Sequence, residues 1–420
     1  MADLSPVLTR TPASDSPLGV ARQAAEDRLA QLGLPGRRDE YWRFAGPADF
    51  SQGDAPSVAL PQGDGTLFSD LDRLTLVFVD GRFDAAASDP LPLDGVEIAP
   101  LAAAPDWARR AYGAREAAAH IPVPRPLAAM NTARAADGLA IRVTGRPTRP
   151  LHILHRRTEA AGDAVWHHVI HLEPGAELTL IETGSAGSRQ NSVIEADLAD
   201  GAKLHLIAAK RRGDELALSH LFARLGNESV LKSFALALDG RHLRREAVID
   251  VVGDDAVVHL AGAALGDGRD FINDDTVFII HGGLRGESRQ VFKKVLRGSA
   301  TGIFQGKILV RPGAQKTDGY QISQSLLLDE LCQFLAKPEL EIYADDVKCS
   351  HGSTTGAIDE TALFYLRSRG VPKAQAEVLL VLSFLADALA EIEDDGLRSR
   401  ISARVEEALT ADAGQIGNGG

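Results

Sequence analysis

Two stretches of this chain are near-copies: Pro174-Gly-Ala-Glu-Leu-Thr-Leu-Ile181 recurs as Asp200-Gly-Ala-Lys-Leu-His-Leu-Ile207, 26 residues later. A short strand-like unit repeated at a fixed offset is the mark of a solenoid, in which each coil buries its inner face on its neighbour. Glycines keep the same loose interval, with Gly175, Gly201, Gly226 and Gly253 at steps of 26, 25 and 27. From Gly138 to about Tyr343 almost every apolar segment alternates with period two, as in Ile141–Val143, Trp166–Leu172, Glu177–Ile181, Lys203–Ile207 and Asp255–Leu260. Such strands, with polar turns and no intervening helices, predict a mainly β protein built on a parallel β-helix. A β-sandwich or barrel is the alternative, because it also shows many short strands at even spacing; the near-copies favour the solenoid. An open solenoid has end strands that must be capped or paired, so a partner or a self-associating edge is expected.

The flanks read differently. Residues 1–137 form a loosely built helical region, with helical spacing over Leu18–Leu34, Leu101–Tyr112 and Pro126–Thr132 and one strand-like run, Leu74–Val79. Ser16-Pro17 supplies an N-cap and first-turn pair, and Gly33 stops the first helix. An aromatic cluster, Asp39-Glu-Tyr-Trp-Arg-Phe44, stands out in a chain poor in aromatics. Residues 138–358 form the β core, and residues 359–420 are helical again. There Gly370 and Pro372 close a first helix, a long one follows from Lys373 to about Glu393, and Ile401, Val405 and Leu409 mark the stripe of a last one.

Composition narrows the function. Lys and Arg number 45 against 58 Asp and Glu, a net charge of −13, which argues against a general nucleic-acid or anionic-membrane binder. The most apolar stretch, Val378–Ala390, carries Ser383 and Asp387 and is too short to span a bilayer. The acidic start without an apolar run and the two cysteines predict a cytoplasmic protein in a reducing compartment. Two cysteines also preclude a cage of four thiolates within one chain.

Hydrolase and nucleotide-binding signatures are missing. Gly302-Ile-Phe-Gln-Gly306-Lys-Ile308 is one residue short of a P-loop and has Ile where a Mg²⁺-touching hydroxyl is needed. His167 and His171 would lie about 13 Å apart on a strand, too far to share an ion, and read as part of a solvated face. His152, His155, His205 and His259 sit singly on strands, as surface or satisfied core residues. One segment stands apart, Glu339-Leu-Glu-Ile-Tyr-Ala-Asp-Asp-Val-Lys-Cys-Ser-His-Gly-Ser-Thr-Thr-Gly356. On a strand Cys349 and His351 share a face, and thiolate with imidazole suits iron or zinc, though two ligands make only half a site. A structural turn with a buried Cys and a capping His is the competing interpretation. Asp345 and Asp346 could form a carbohydrate-enzyme dyad, but adjacent strand residues face opposite sides.

Asp345-Asp-Val-Lys-Cys-Ser-His-Gly-Ser-Thr-Thr-Gly356, with Ile358-Asp359 and Leu363-Phe-Tyr-Leu-Arg-Ser-Arg-Gly370, resembles the C-terminal signature of the SufB/SufD family of iron–sulfur cluster assembly proteins, on its SufD side. Glu40-Tyr-Trp-Arg43 is similar to that family's N-terminal aromatic motif. Ser353 departs from the pattern, where Ala is expected, and the SufB branch carries a Glu-His-Glu-Ala-Thr-like string at this segment. The resemblance implies a right-handed parallel β-helix between two helical regions, and a scaffold role without enzymatic activity of its own. It further implies pairing with a SufB-like subunit through the β-helices and docking of a SufC-like ATPase on the C-terminal helices. Sulfur would come indirectly from a cysteine desulfurase and its carrier, and a homodimer could form in isolation. His351 would then belong to the nascent Fe–S cluster site at the junction, with Cys349 a weaker candidate. A SufB-type scaffold and a β-helix carbohydrate-active enzyme are the alternatives.

Overall fold

The computed structural model describes residues 18–60, 67–210, 215–238 and 240–416. The Ser16-Pro17 helix start lies outside them. Nineteen strands among the described residues form two facing sheets, and within the coil each strand pairs with the strand two further along the chain. From Leu139 on, strands join the two sheets alternately; of the three earlier strands, Leu74–Val79 and Arg82–Asp84 complete a ten-stranded sheet and Val96–Pro100 a nine-stranded one. All these pairs are parallel except two at the N-terminal end, Leu74–Val79 with Arg82–Asp84 and Val96–Pro100 with Leu139–Val143. The chain is therefore mainly β, a solenoid of about seven turns with helices at both ends.

The turns explain the glycine series. At one corner of successive coils the chain passes through a left-handed backbone conformation at Gly175, Gly201, Glu228, Asp255, Arg285 and Lys316. These positions are 26, 27, 27, 30 and 31 residues apart, so the coil lengthens toward its C-terminal end. Backbone N–H groups at this corner bond the next coil, as Gly201 N to Asn227 O at 2.7 Å and Asp255 N to Leu284 O at 2.8 Å. Gly226 and Gly253 sit two residues before the corner and answer a different need. A Cβ on Gly253 would stand 2.0 Å from the carbonyl carbon of Gly226, so the stacked backbones leave room only for hydrogen.

Period-two patterning places alternate side chains in the lumen. Leu178, Leu204, Leu231 and Val258 from one sheet meet Leu198, Leu225, Val251 and Ile279 from the other in the main core. Both outer faces are covered too. One carries the N-terminal region: Tyr41, Ala119 and Ala128 pack on Val193, Phe222, Val248 and Phe278. Helix α1 (Gly19–Leu32) and helix α2 (Pro126–Arg134) lie here, and every residue of α2 is buried. Leu74–Val79 joins the solenoid as a rung, in register with Leu151–Arg156, so the sheets begin well before residue 138.

The other outer face carries three C-terminal helices, α3 (Glu360–Ser368), α4 (Lys373–Leu389) and α5 (Asp395–Ile416). Asp359 caps α3, its carboxylate accepting from the N–H groups of Thr361 and Ala362 at 2.8 and 3.1 Å. Val381, Leu385, Leu389, Ile401 and Val405 are buried against Phe234, Leu236, Ala263, Val291 and Val295 of the sheet. Polar contacts rim this face: His259 and Arg289 hold Glu391, Lys232 holds Glu393 and Lys293 holds Asp387.

Covering both outer faces changes the environment of the strand histidines. His167 is fully buried rather than solvated, because the N-terminal helices lie over it. It is 3.0 Å from the Glu195 carboxylate and 4.3 Å from the ring centre of Tyr112. His168 points into the lumen edge-on to Phe78, and burial pushes its pKa down to about 3. His171, at the rim, stays half-buried beside Glu173.

Candidate functional site

The solenoid stops at Gln333–Ile342 in one sheet and Lys348–Gly356 in the other, each the outermost strand of its sheet. Lys348–Gly356 pairs along one edge with Asp318–Leu327, and among the described residues no strand pairs with its other edge. Its residues are exposed or half-buried, whereas equivalent residues two coils earlier are mostly buried. An unpaired run of N–H and C=O groups of this length is a template for another strand. Pro338 lies on the companion edge strand, where its missing N–H is tolerated.

Register fixes which side chains face the lumen at this mouth. Gly319, Gln321, Ser323 and Ser325 are buried inward residues, and their partners are Cys349, His351, Ser353 and Thr355. The Ser323 and Ser353 hydroxyls lie 3.2 Å apart, and those of Ser325 and Thr355 3.3 Å. Cys349 and His351 therefore do share a face, but their surroundings differ. Cys349 is half-buried with Leu340 and Val347 against Ile308, Val310 and Ala344, and burial pushes its thiol pKa up. Its sulfur lies over Gly319, 3.2 Å from where a Cβ there would be. His351 is exposed and has no hydrogen-bond or ion-pair partner among the described residues. Imidazole at the open margin and a protonated, packed thiol beside it offer one ready metal donor and one held back. No group of three or more His, Cys, Asp or Glu side chains among the described residues is placed to hold a metal ion.

Asp345 and Asp346 are exposed in the turn before the last strand, where the Asp346 N–H donates to the Gln315 side-chain oxygen at 2.9 Å and the Asp346 carbonyl accepts from the Lys316 N–H. Among the described residues no second carboxylate is hydrogen-bonded to either. The aromatic cluster near the N-terminus reaches this same end. Tyr41 hydrogen-bonds Glu339, and Glu40 pairs with Lys337, whose ammonium stands 4.0 Å over the Tyr41 ring. Trp42 lies under Arg244 at 4.0 Å, and that buried guanidinium pairs with Glu246 and Asp274.

Two residues of the mouth escaped sequence reasoning, Gln321 and Gln290. They lie 30 and 61 positions before His351, and only the lengthened coils at this end put them beneath it.

A family model described as "SUF system FeS cluster assembly, SufBD core domain" matches residues 155–384. The iron–sulfur cluster assembly protein SufD of Escherichia coli (strain K12) is 31% identical over 405 residues, covering 93% of each chain. A SufBD family protein of Synechocystis is 25% identical over 92% of this chain and 90% of its own length. SufD of Bacillus subtilis is 36% identical over 131 residues, 31% of this chain and 30% of that protein. With a solenoid of paired sheets and more than half its length matched by the core model, the chain belongs to the SufBD family of iron–sulfur cluster assembly proteins.

Proposed function

We propose that this chain is a SufD-type scaffold subunit whose open solenoid end pairs with a SufB-like subunit, and that a nascent Fe–S cluster is built at that junction with His351 as one ligand. The single observation carrying this proposal is the unpaired Lys348–Gly356 edge with an exposed, unpartnered imidazole on its lumen side. The cluster is cargo: this subunit lends one donor, and the partner contributes the rest. Cys349 is a weaker candidate, because its thiol must leave an apolar pocket and lose a proton before it can bind iron.

The C-terminal helices supply a second docking face, for a SufC-like ATPase. Phe364 is 73% exposed, and Tyr365 and Leu379 are also exposed on α3 and α4, while the opposite stripe is consumed by the solenoid. ATP hydrolysis would thus reside on another subunit, and sulfur would arrive from a desulfurase and its carrier. Domains follow from these roles: residues 1–137 brace the core, 138–358 carry the junction and 359–420 carry the ATPase. The work is done in the cytoplasm. An isolated chain would pair with a second copy through the same edge.

The test is His351→Ala in the co-expressed complex. Intact assembly with reduced anaerobic cluster reconstitution supports the assignment, and an unchanged cluster yield removes His351 from the site.

A further inference from the structure

His351, Gln321 and Gln290 occupy one inward-facing column on three successive rungs of the sheet, Gln290 paired with Gln321 and Gln321 with His351. Neither glutamine is exposed. Yet both amide atoms of Gln290 and the amide oxygen of Gln321 lack a hydrogen-bond partner among the described residues. The Gln321 amide nitrogen reaches only the Gly306 carbonyl, at 3.5 Å. A buried amide left unpaired forfeits its hydration without a replacement bond, so such groups call for an explanation. Space for the Gln321 amide is made by the opposite wall, where a Cβ on Gly306 would stand 2.6 Å from it. Phe292 and Phe304 meet across the lumen, ring centres 4.9 Å apart.

Residues in register on neighbouring strands stand about 4.8 Å apart, which lets two long side chains on the same face touch. A neutral imidazole has one N–H to donate and one lone pair to offer, and a metal-bound histidine almost always donates its other N–H to a fixed acceptor. Of the polar residues facing the lumen on the two terminal rungs, Ser353 and Thr355 already meet hydroxyls of the rung below. Gln321, in register with His351 on the rung below and on the same face, holds a buried amide oxygen with no partner among the described residues.

We propose that Gln321 is a positioning residue for His351: its amide oxygen accepts one imidazole N–H, fixing the tautomer that turns the other nitrogen's lone pair out of the lumen mouth. Gln290 supports the column from below. This inference rests on the assignment of His351 as a cluster ligand, so its test separates the two.

The experiment is ¹⁵N NMR of the full chain with labelled histidine, His351 being assigned by its loss in His351→Ala. At alkaline pH the wild-type ring should give two well-separated nitrogen shifts, one protonated and one bare. Gln321→Met, of similar shape without the acceptor, should draw them toward an exchange average, and Gln321→Glu should restore the separation. Should Gln321→Met not fold, Gln321→Asn, one carbon too short to reach, must show the same averaging. Shifts that stay separated in these variants overturn the proposal. In the assembled complex Gln321→Met should lower cluster yield roughly 10-fold, in line with loss of an outer-shell partner. If His351→Ala leaves cluster yield unchanged, the ligand assignment fails while the nitrogen shifts still decide the Gln321 contact. If His351→Ala abolishes the cluster and the shifts ignore Gln321, the positioning role alone fails.

Discussion

The hydroxyl of Tyr41 donates a hydrogen bond to the carboxylate of Glu339, 298 residues further along the chain. The bond ties the N-terminal aromatic cluster to the last strand of the nine-stranded sheet, beside the open mouth. Burial, followed by that contact, pushes the Tyr41 pKa well above the usual phenol range, so it stays a donor. Tyr41→Phe keeps the edge-on ring contact with Phe278 and removes only the hydroxyl. Urea unfolding should show a loss of about 1–2 kcal/mol. An unchanged midpoint would mean that the aromatic cluster braces this end by packing alone.

Acid should weaken the fold before most carboxylates protonate. Burial holds His152 and His168 down at about 3, and His220 and His281 at about 4. A histidine whose folded pKa lies below its unfolded value near 6.5 contributes stability above that value, and loses it as pH falls toward the folded pKa. Each such group gives up at most about 1.4 kcal/mol per pH unit through that window. Glu246, held down to about 2 by Arg244, His220 and Arg125 against its burial, adds a further loss below about pH 4.3. Urea midpoints should therefore fall between about pH 6.5 and 5, with a shallower slope in His168→Gln. Stability that stays flat over that interval would contradict the buried neutral state of these rings.

The two faces of the C-terminal helices should separate in a pair of variants. Leu385→Ala empties a fully buried position between α4 and the sheet and should cost about 2–5 kcal/mol. Phe364→Ser changes an exposed ring and should leave the melting temperature alone while lowering co-purification of the ATPase. The reverse pattern would assign the docking surface to the wrong stripe.

Particular residues show what the sequence could reveal. The copies at 174–181 and 200–207 sit on adjacent coils in register, so the solenoid was legible from them. The glycine series was legible only in part. Gly175 and Gly201 occupy the left-handed corner, but Gly226 and Gly253 belong to a backbone-crowded position two residues earlier, which produced the uneven 25-residue step. Four later corners use Glu, Asp, Arg and Lys, so the lengthening to 30 and 31 residues left no glycine trace. Leu74–Val79 could be seen as a strand, but not as a rung, because its partner at Leu151–Arg156 is 77 positions away in register. His167 read as solvated because alternation tells which residues share a face and not what covers that face. At the mouth, Cys349 and His351 could be placed on one side from spacing alone. The apolar pocket around the thiol and the glutamines beneath the imidazole depend on coil length, which the sequence did not display.

Amide hydrogen exchange along Lys348–Gly356 tests the central claim most directly, comparing dilute isolated chain with chain co-expressed and co-purified with the proposed SufB-like partner. In an outermost strand, N–H groups that point away from the sheet exchange freely until another strand takes them. Strong slowing at alternate residues of this strand in the complex is the predicted result. Equal exchange in both samples would contradict it, and would leave the imidazole at 351 without a second subunit to complete its site.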